Sequence, residues 1–454
     1  MSLALFLAGM ATFALLYSTQ ALLPLVSAGF GTTASTASWT VSAATGALAL
    51  CVLPLSALSE RCGRRAMMTG SLAVAVAVGL LVPFAPSVGV LIGLRAVQGG
   101  ALAGLPASAM AYLAEEVRPR ALVGAVGLFV AGNSIGGMSG RVVAGWVAQL
   151  WGWRVAAGAI GLVAVGCAVL FRVLLPASRH QATGSGATGA ARATSTAGAA
   201  GRGGVVRALR AAVRRDTGAR KAEGASRART GMLAGPVRDH LANPLLCRLY
   251  AIGALFMLVF GASYTVIGYR LSAAPYSLPQ GVVGSVFLVY LVGTVSSAAS
   301  GRLVGRVGRR GALYLAAGTT AAGLLLSLAG PLVLVLLGLV LVTAGFFAGH
   351  AAASSAVSHT ATHGRAQASA LYQTGYYLGA SAGSSLGALA FRSAGWGGTV
   401  TLSLCAVLGV VLITLHGTRV AARAAGAARH GSAAPATAPG GHGDAAAAAC
   451  PERR

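Results

Sequence analysis

The sequence predicts an all-α membrane protein with about twelve transmembrane helices arranged as two six-helix bundles. Three observations predict it. The 454 residues are 56% hydrophobic and 9% charged, and a mean hydropathy of +0.75 is more apolar surface than a water-soluble core of this size can hide. The chain also repeats at an offset of 245 residues: Leu58, Arg61, Gly63, Arg64 and Arg65 recur as Leu303, Arg306, Gly308, Arg309 and Arg310. Gly100, Ala103, Gly104 and Ala107 recur as Gly345, Ala348, Gly349 and Ala352, and Trp151-Gly152 as Trp396-Gly397. Finally, arginine falls in alternate loops, as it does when loops alternate between the two faces of a bilayer.

A spanning helix needs about 20 apolar residues, which divides the chain in order. The first span is 3–27; it lacks a basic leading segment and a cleavage context, so it is a helix of the fold rather than a signal peptide. Spans at 39–58, 66–85, 88–113, 121–147 and 153–175 complete the first bundle, residues 1–175. Residues 176–245, rich in Ala, Gly, Ser, Thr and Arg, form a cytoplasmic linker, mostly flexible, that can lie on anionic lipid. Spans at 246–270, 279–299, 312–331, 332–357, 365–391 and 396–415 form the second bundle, residues 246–415. Residues 416–454 share the linker's composition and are expected to be a disordered cytoplasmic tail.

Arg61, Arg64, Arg65, Arg118, Arg120, Arg302, Arg306, Arg309, Arg310 and Arg365 occupy alternate loops, which the positive-inside rule places in the cytoplasm with both termini. Arg154, Arg270 and Arg392 stand near span ends on the other side. The net charge of +26 lies between apolar runs and on tails, not on an aromatic-studded face, which argues against nucleic acid as a partner. The cysteines show no close pairs, so neither disulfide nor zinc is expected.

Repetition in so apolar a chain places a pathway between two similar bundles that rock about a shared site. The loops Ser56-Ala-Leu58-Ser-Glu60-Arg61-Cys-Gly63-Arg64-Arg65 and Gly301-Arg-Leu303-Val-Gly305-Arg306-Val-Gly308-Arg309-Arg310 resemble the G-x-L-x-D-R-x-G-R-R signature of the major facilitator superfamily. Anchoring by positive charge alone explains one such loop, not two in register. The resemblance implies the twelve-helix major facilitator fold and transport by alternating access. The signature aspartate is Glu60 in one copy and Gly305 in the other. Glu115 and Glu116, whose counterparts are Thr360 and Ala361, are therefore the expected partners of Arg61, Arg64 or Arg65, in a cluster that sets the balance of gating states.

Arg95-x-x-Gln98-Gly99 is similar to the family's R-x-x-Q-G element; a charge inside a span faces a wet cavity or a partner, unless it snorkels to the surface. Gly132-Asn133-x-x-Gly136-Gly137 resembles the G-P-x-x-G-G element of the superfamily's antiporters, with Asn133 for proline. The longer string through Ser139 and Arg141 looks like the YnfM-type bacterial inner-membrane branch, usually classed as efflux permeases. Glycines at i and i+4 let helices approach closely, and Gly132, Gly136 and Gly137 are expected to pack the gate.

All eight acidic residues lie in loops, span ends or tails. Without a buried carboxylate, proton coupling is an inference from the resemblance, and His350, whose imidazole titrates near neutrality, is the candidate proton site beside Glu115 and Glu116. A packed, hydrogen-bonded histidine accounts for His350 as well. With Arg95 and Arg141 as the embedded charges, a neutral polar or anionic small molecule fits the interior better than a lipophilic dication. Tyr17, Gln20, Asn133, Tyr372, Gln373, Tyr376 and Tyr377 could line its cavity, and interhelical packing is an equal account of the tyrosines. Gly137-Met138-Ser139-Gly140 matches a rhomboid-type nucleophile string, but the doubled plan has no place in that chemistry, and no enzyme, cofactor or metal is expected. His359 and His363 have ligand spacing without a third ligand. The expected protein is a monomeric carrier in the bacterial plasma membrane, exporting a small molecule in exchange for protons. Uptake or uncoupled passage of a polar or anionic solute, and a non-transporting sensor, are the rival readings.

Overall fold

A computed structural model describes residues 2–117, 119–175 and 237–431. Residues 176–236 of the expected linker and 432–454 of the expected tail lie outside the described residues, as does Arg118. The described residues are helical, with no strand. The first half comprises α1 (Ser2–Phe30), α2 (Ala34–Cys62), α3 (Arg64–Leu81), α4 (Val88–Leu102), α5 (Gly104–Glu116) and α6 (Pro119–Leu174). The second comprises α7 (Pro244–Ser272), α8 (Gln280–Ser285), α9 (Tyr290–Leu326), α10 (Leu332–Thr360) and α11 (Arg365–Gly431).

Among the described residues, nine helical stretches are long and apolar enough to cross a membrane. Three of them, Gly124–Leu174, Gln280–Leu326 and Gln367–Val420, are 51, 47 and 54 residues long, about twice what one crossing needs. Each is broken by non-helical residues, at Gly152, at Gly308 and at Ala394 with Gly395. The chain divides into one compact unit from Met1 to Thr414 and a second from Leu415 to Arg454. The second unit is helical through Gly431, so the tail expected to be disordered from 416 begins as helix. A helical turn at 237–242 likewise falls within the expected linker.

Local chemistry sets the helix ends. Thr33 Oγ1 accepts from the Thr36 amide at the start of α2, Ser87 Oγ from the Val90 amide at the start of α4, and Asn243 Oδ1 from the Leu245 and Leu246 amides at the start of α7. Each satisfies donors that the first helical turn leaves orphaned. The repeated loops turn at Gly63 (φ 88°) and Gly308 (φ 73°), a backbone region that favours glycine. The offset of the sequence repeat therefore corresponds to one shared turn.

Elsewhere the register slides. In the first half Gly132, Gly136 and Gly140 of α6 lie against Phe6, Met10 and Ala14 of α1; a Cβ on Gly140 would come within 2.9 Å of Ala14 Cα. In the second half Gly379, Gly383 and Gly387 of α11 meet Ala254, Leu258 and Ala262 of α7 in the same way. This stripe recurs two residues later than the loop offset requires. The tryptophan pairing also corrects the sequence expectation: Trp151 is 63% exposed, while Trp153 and Trp396 are both 8% exposed. Arg154 stacks on Trp153 at 4.6 Å and Arg270 on Trp396 at 4.9 Å. The buried counterpart of Trp396 is thus Trp153, because a guanidinium covers an indole at that end of each half.

The hydrogen bonds that join the halves run from mid-span to the end opposite the Arg-rich loops. Pro24 lacks the N–H that would bond the Gln20 carbonyl, which loosens α1 there. Nearby carbonyls bond across: Tyr269 Oη donates to Leu23 O at 2.9 Å, and Gln280 Nε2 donates to Ala21 O. Ser27 Oγ shares a hydrogen bond with Tyr269 Oη at 2.6 Å; Trp146 Nε1 donates to Ser285 Oγ at 3.0 Å, and the Gly281 amide to Gln149 Oε1 at 2.8 Å. Ser381 and Ser385 both donate to Ser42. Gly145 and Gly284 touch backbone to backbone, since a Cβ on Gly145 would lie 2.8 Å from Gly284 Cα.

Candidate functional site

Arg141, on α6, is 2% exposed between the two halves. Its position i−4 is Gly137, and the missing side chain there lets Nη1 fold back to donate to Gly137 O at 2.6 Å. Nε and Nη2 both donate to Gln20 Oε1, at 3.0 and 2.8 Å. Three rings cover the guanidinium: Tyr17 at 4.5 Å, and Phe287 and Tyr290 of the second half at 4.9 Å each. Neutral acceptors and π faces thus hold a buried charge that no carboxylate neutralises among the described residues.

Gln20 passes the contact across the interface. Its Nε2 donates to Thr265 Oγ1 at 3.2 Å, and Thr265 Oγ1 donates to Ser384 Oγ at 2.9 Å. Around this chain the second half is aromatic: Phe260 stacks on Phe346 at 4.1 Å, and Tyr264 and Tyr290 meet edge to face at 5.1 Å. His350 sits 4.8 Å from the Tyr376 ring and shares a hydrogen bond between Nδ1 and Tyr372 Oη at 2.9 Å. Such pairs favour offset and edge-on arrangements, so His350 is held in a packed polar–aromatic wall.

Tyr17, Gln20, Arg141, Tyr376 and His350 therefore line one region, and the other expected site residues divide from them. Arg95, also 2% exposed, neither snorkels nor reaches the interface. Its Nε donates to Thr40 O at 3.2 Å and Nη1 to Leu15 O at 2.7 Å, with further short contacts from Nη1 to Gln98 Oε1 and Nη2 to Leu16 O. Gln98 Nε2 donates to Ala75 O at 3.0 Å, and Gly99 lies on the Ala44 backbone. The element is a staple binding α4 to α1, α2 and α3. Gly132 and Gly136 pack α1 inside one half rather than sealing the two halves together. Asn133 Oδ1 faces Gly9 of α1 and is buried without a partner in the described structure. Ser139 lines a small apolar crevice with Met10, Ala14 and Ile160, away from Arg141.

At the Arg-rich end, Arg64 forms the expected pair: Nε to Glu115 Oε1 at 3.4 Å, with Nη2 3.7 Å from Glu60 Oε1 and Nη1 donating to Ser59 Oγ at 2.6 Å. Arg65 Nη2 donates to Leu175 O at 3.0 Å. Arg61 and Glu116 also have interactions. The second copy, Arg306, Arg309 and Arg310, shows no ion pair among the described residues, as the loss of its acidic partners at Gly305, Thr360 and Ala361 requires.

Sequence reasoning missed Thr265, Ser384, Phe287, Tyr290, Tyr269 and Gln280. Single hydroxyls and rings inside apolar helices carry no spacing signal; Pro24 was the one available sign that α1 would offer carbonyls to a neighbour.

The sequence and the fold match known proteins. The model of the Major Facilitator Superfamily matches residues 1–384. The chain belongs to that superfamily. It is 36% identical to the inner membrane transport protein YnfM of Escherichia coli, over 92% of this chain and 90% of the relative. It is 34% identical to the uncharacterized MFS-type transporter YybF of Bacillus subtilis, over 77% of this chain and 76% of the relative. Among solved structures, a bacterial homologue of the human lysosomal transporter Spinster, inward-facing and occupied, superimposes with a TM-score of 0.65 at 13% identity, covering 93% of this chain and 96% of that one. The chain is a multi-pass membrane protein of a transporter superfamily.

Proposed function

We propose that this protein is a secondary transporter, not an enzyme, that exports a small organic molecule from the bacterial cytoplasm by alternating access. The observation that carries the reading is the placement of Arg141, Gln20 and Thr265: a buried charge and a polar chain lie between two halves whose hydrogen bonds gather towards one end. Under the positive-inside rule the Arg-rich loops are cytoplasmic and so are both termini, which makes the closed end periplasmic and this state inward-facing. Each of the three double-length helices crosses twice, turning at its break, for twelve crossings in two bundles of 1–175 and 246–415. The carrier works as a monomer.

Proton exchange is the coupling in this reading, with His350 as the group that titrates between Tyr372 and Tyr376. Uncoupled passage of a polar or anionic solute is the second reading, favoured by the absence of any Asp or Glu in mid-span. Inverted vesicles containing the protein distinguish the two. Neutral, anionic and cationic dyes would be followed with and without a proton gradient, beside Arg141→Gln. Gradient-driven uptake into the vesicles, lost in the variant, supports proton-coupled export. Movement that ignores the gradient removes coupling, and no movement of any dye removes transport.

A further inference from the structure

A guanidinium carries five N–H donors, and Arg141 uses three: Nε and one Nη2 hydrogen on Gln20 Oε1, and one Nη1 hydrogen on Gly137 O. Its outer edge, one N–H on each Nη, has no acceptor among the described residues. The Tyr290 ring lies 4.9 Å below the same guanidinium, and its hydroxyl is buried without a partner. The acidic side chains of the described residues, Glu60, Glu115, Glu116 and Asp239, stand at helix ends near the Arg-rich loops. A bidentate fork, a spare hydroxyl and stacked aromatic faces together suit one chemistry.

We propose that the Arg141 site binds an organic monoanion with an aromatic body. The carboxylate takes the Nη1/Nη2 edge and accepts from the Tyr290 hydroxyl, while the ring of the ligand joins the aromatic wall that includes Phe287 and Phe346. Gln20 stands on the remaining edge of the guanidinium as a neutral stand-in for an anion. An anion that draws Arg141 towards itself loosens Gln20, the residue whose Nε2 reaches Thr265 in the other half. Arrival of the ligand thereby acts on a bond that holds the halves together. The proposal rests on the interface being the transport pathway.

The test measures binding separately from flux. The full chain in detergent is titrated with benzoate, benzamide and benzylammonium at neutral pH, and affinity is read from the shift in thermal unfolding. Benzoate is expected to bind at least about tenfold more tightly than the other two. Gln20→Glu supplies a fixed carboxylate against the guanidinium without removing it, so this variant is expected to fold and to lose at least about tenfold in benzoate affinity. Arg141→Lys keeps the charge but not the fork, and binds benzoate more weakly than the wild type. Equal binding of benzamide or benzylammonium, no benzoate binding, or wild-type affinity in Gln20→Glu overturns the proposal. Charge-selective binding without benzoate flux in proteoliposomes keeps the site and removes the transport reading; flux without charge selectivity does the reverse.

Discussion

Replacing Gly145 with alanine tests whether the contact between the halves is a closed gate. A Cβ at Gly145 would lie 2.8 Å from Gly284 Cα and 3.0 Å from Gln280 O, against an ordinary contact of 3.4–4 Å. Both obstacles are backbone, so no side chain can turn aside, and α6 and α8 must part by about half an ångström or more. Overpacking of this kind costs about 1–3 kcal/mol, and it falls only on the state in which the glycines touch. The equilibrium constant between that state and its open alternative should shift towards the open one by a factor of about 5–150. The assay is labelling of Ser27→Cys, with the native cysteines removed, by a membrane-impermeant maleimide added from the side opposite the Arg-rich loops. Ser27 is buried in this state, bonded to Tyr269, so the labelling rate should rise by the same factor. Gly70→Ala, where a Cβ meets nothing within 4 Å, serves as the control and should leave the rate unchanged. An unchanged rate in Gly145→Ala would refute the claim that this contact closes a gate.

Tyr269→Phe removes the hydroxyl that bonds Leu23 O; a loss of about 1 kcal/mol should speed labelling of the buried Ser27→Cys reporter about fivefold. Arg95→Gln leaves the staple of α4 onto α1 and α2 unmade in a closely packed interior, lowering stability by about 2 kcal/mol or more, visible as a lower melting temperature with wild-type ligand selectivity in whatever folds. Glu115→Gln breaks an ion pair whose carboxylate side chain is 42% exposed, so stability should change by less than about 1 kcal/mol, and by less still in high salt. His350→Gln keeps an acceptor for Tyr372; vesicle flux in that variant should no longer respond to a proton gradient, and a full response would exclude His350 as the proton site.

Much of the architecture was legible because a bilayer imposes it. Apolar length marks the crossings, alternate arginine marks the loops, and the repeated Gly63 and Gly308 each fall on a positive-φ turn. Arg64 and Glu115 met as the charge pattern required. The burial of Arg95 and Arg141 was readable as a cost that needs partners, but not which partners. One spends its donors on main-chain carbonyls and Gln98 inside a half, the other on Gly137 O, Gln20 and three rings between halves. Nothing in either side chain distinguishes those outcomes; the distinction comes from which helix face meets which neighbour. For the same reason the constant repeat offset failed at Trp396 and along the glycine stripe, where close packing, not the loop, fixes the register.

The contacts around Pro24 carry a lesson about inheritance. Tyr269 and Gln280 donate to the main-chain oxygens of Leu23 and Ala21, so what the first half contributes there is peptide, common to every residue type. Codons 21 and 23 can therefore exchange among apolar residues of similar size, as their buried side chains require, without erasing the contact, whereas codons 269 and 280 must keep a donor of the right reach. After an ancestral duplication, selection for the hydrogen bond itself would bear on one copy and spare the other, and a deep mutational scan should find size-conserving apolar changes tolerated at the first pair of positions and loss of the donor not tolerated at the second.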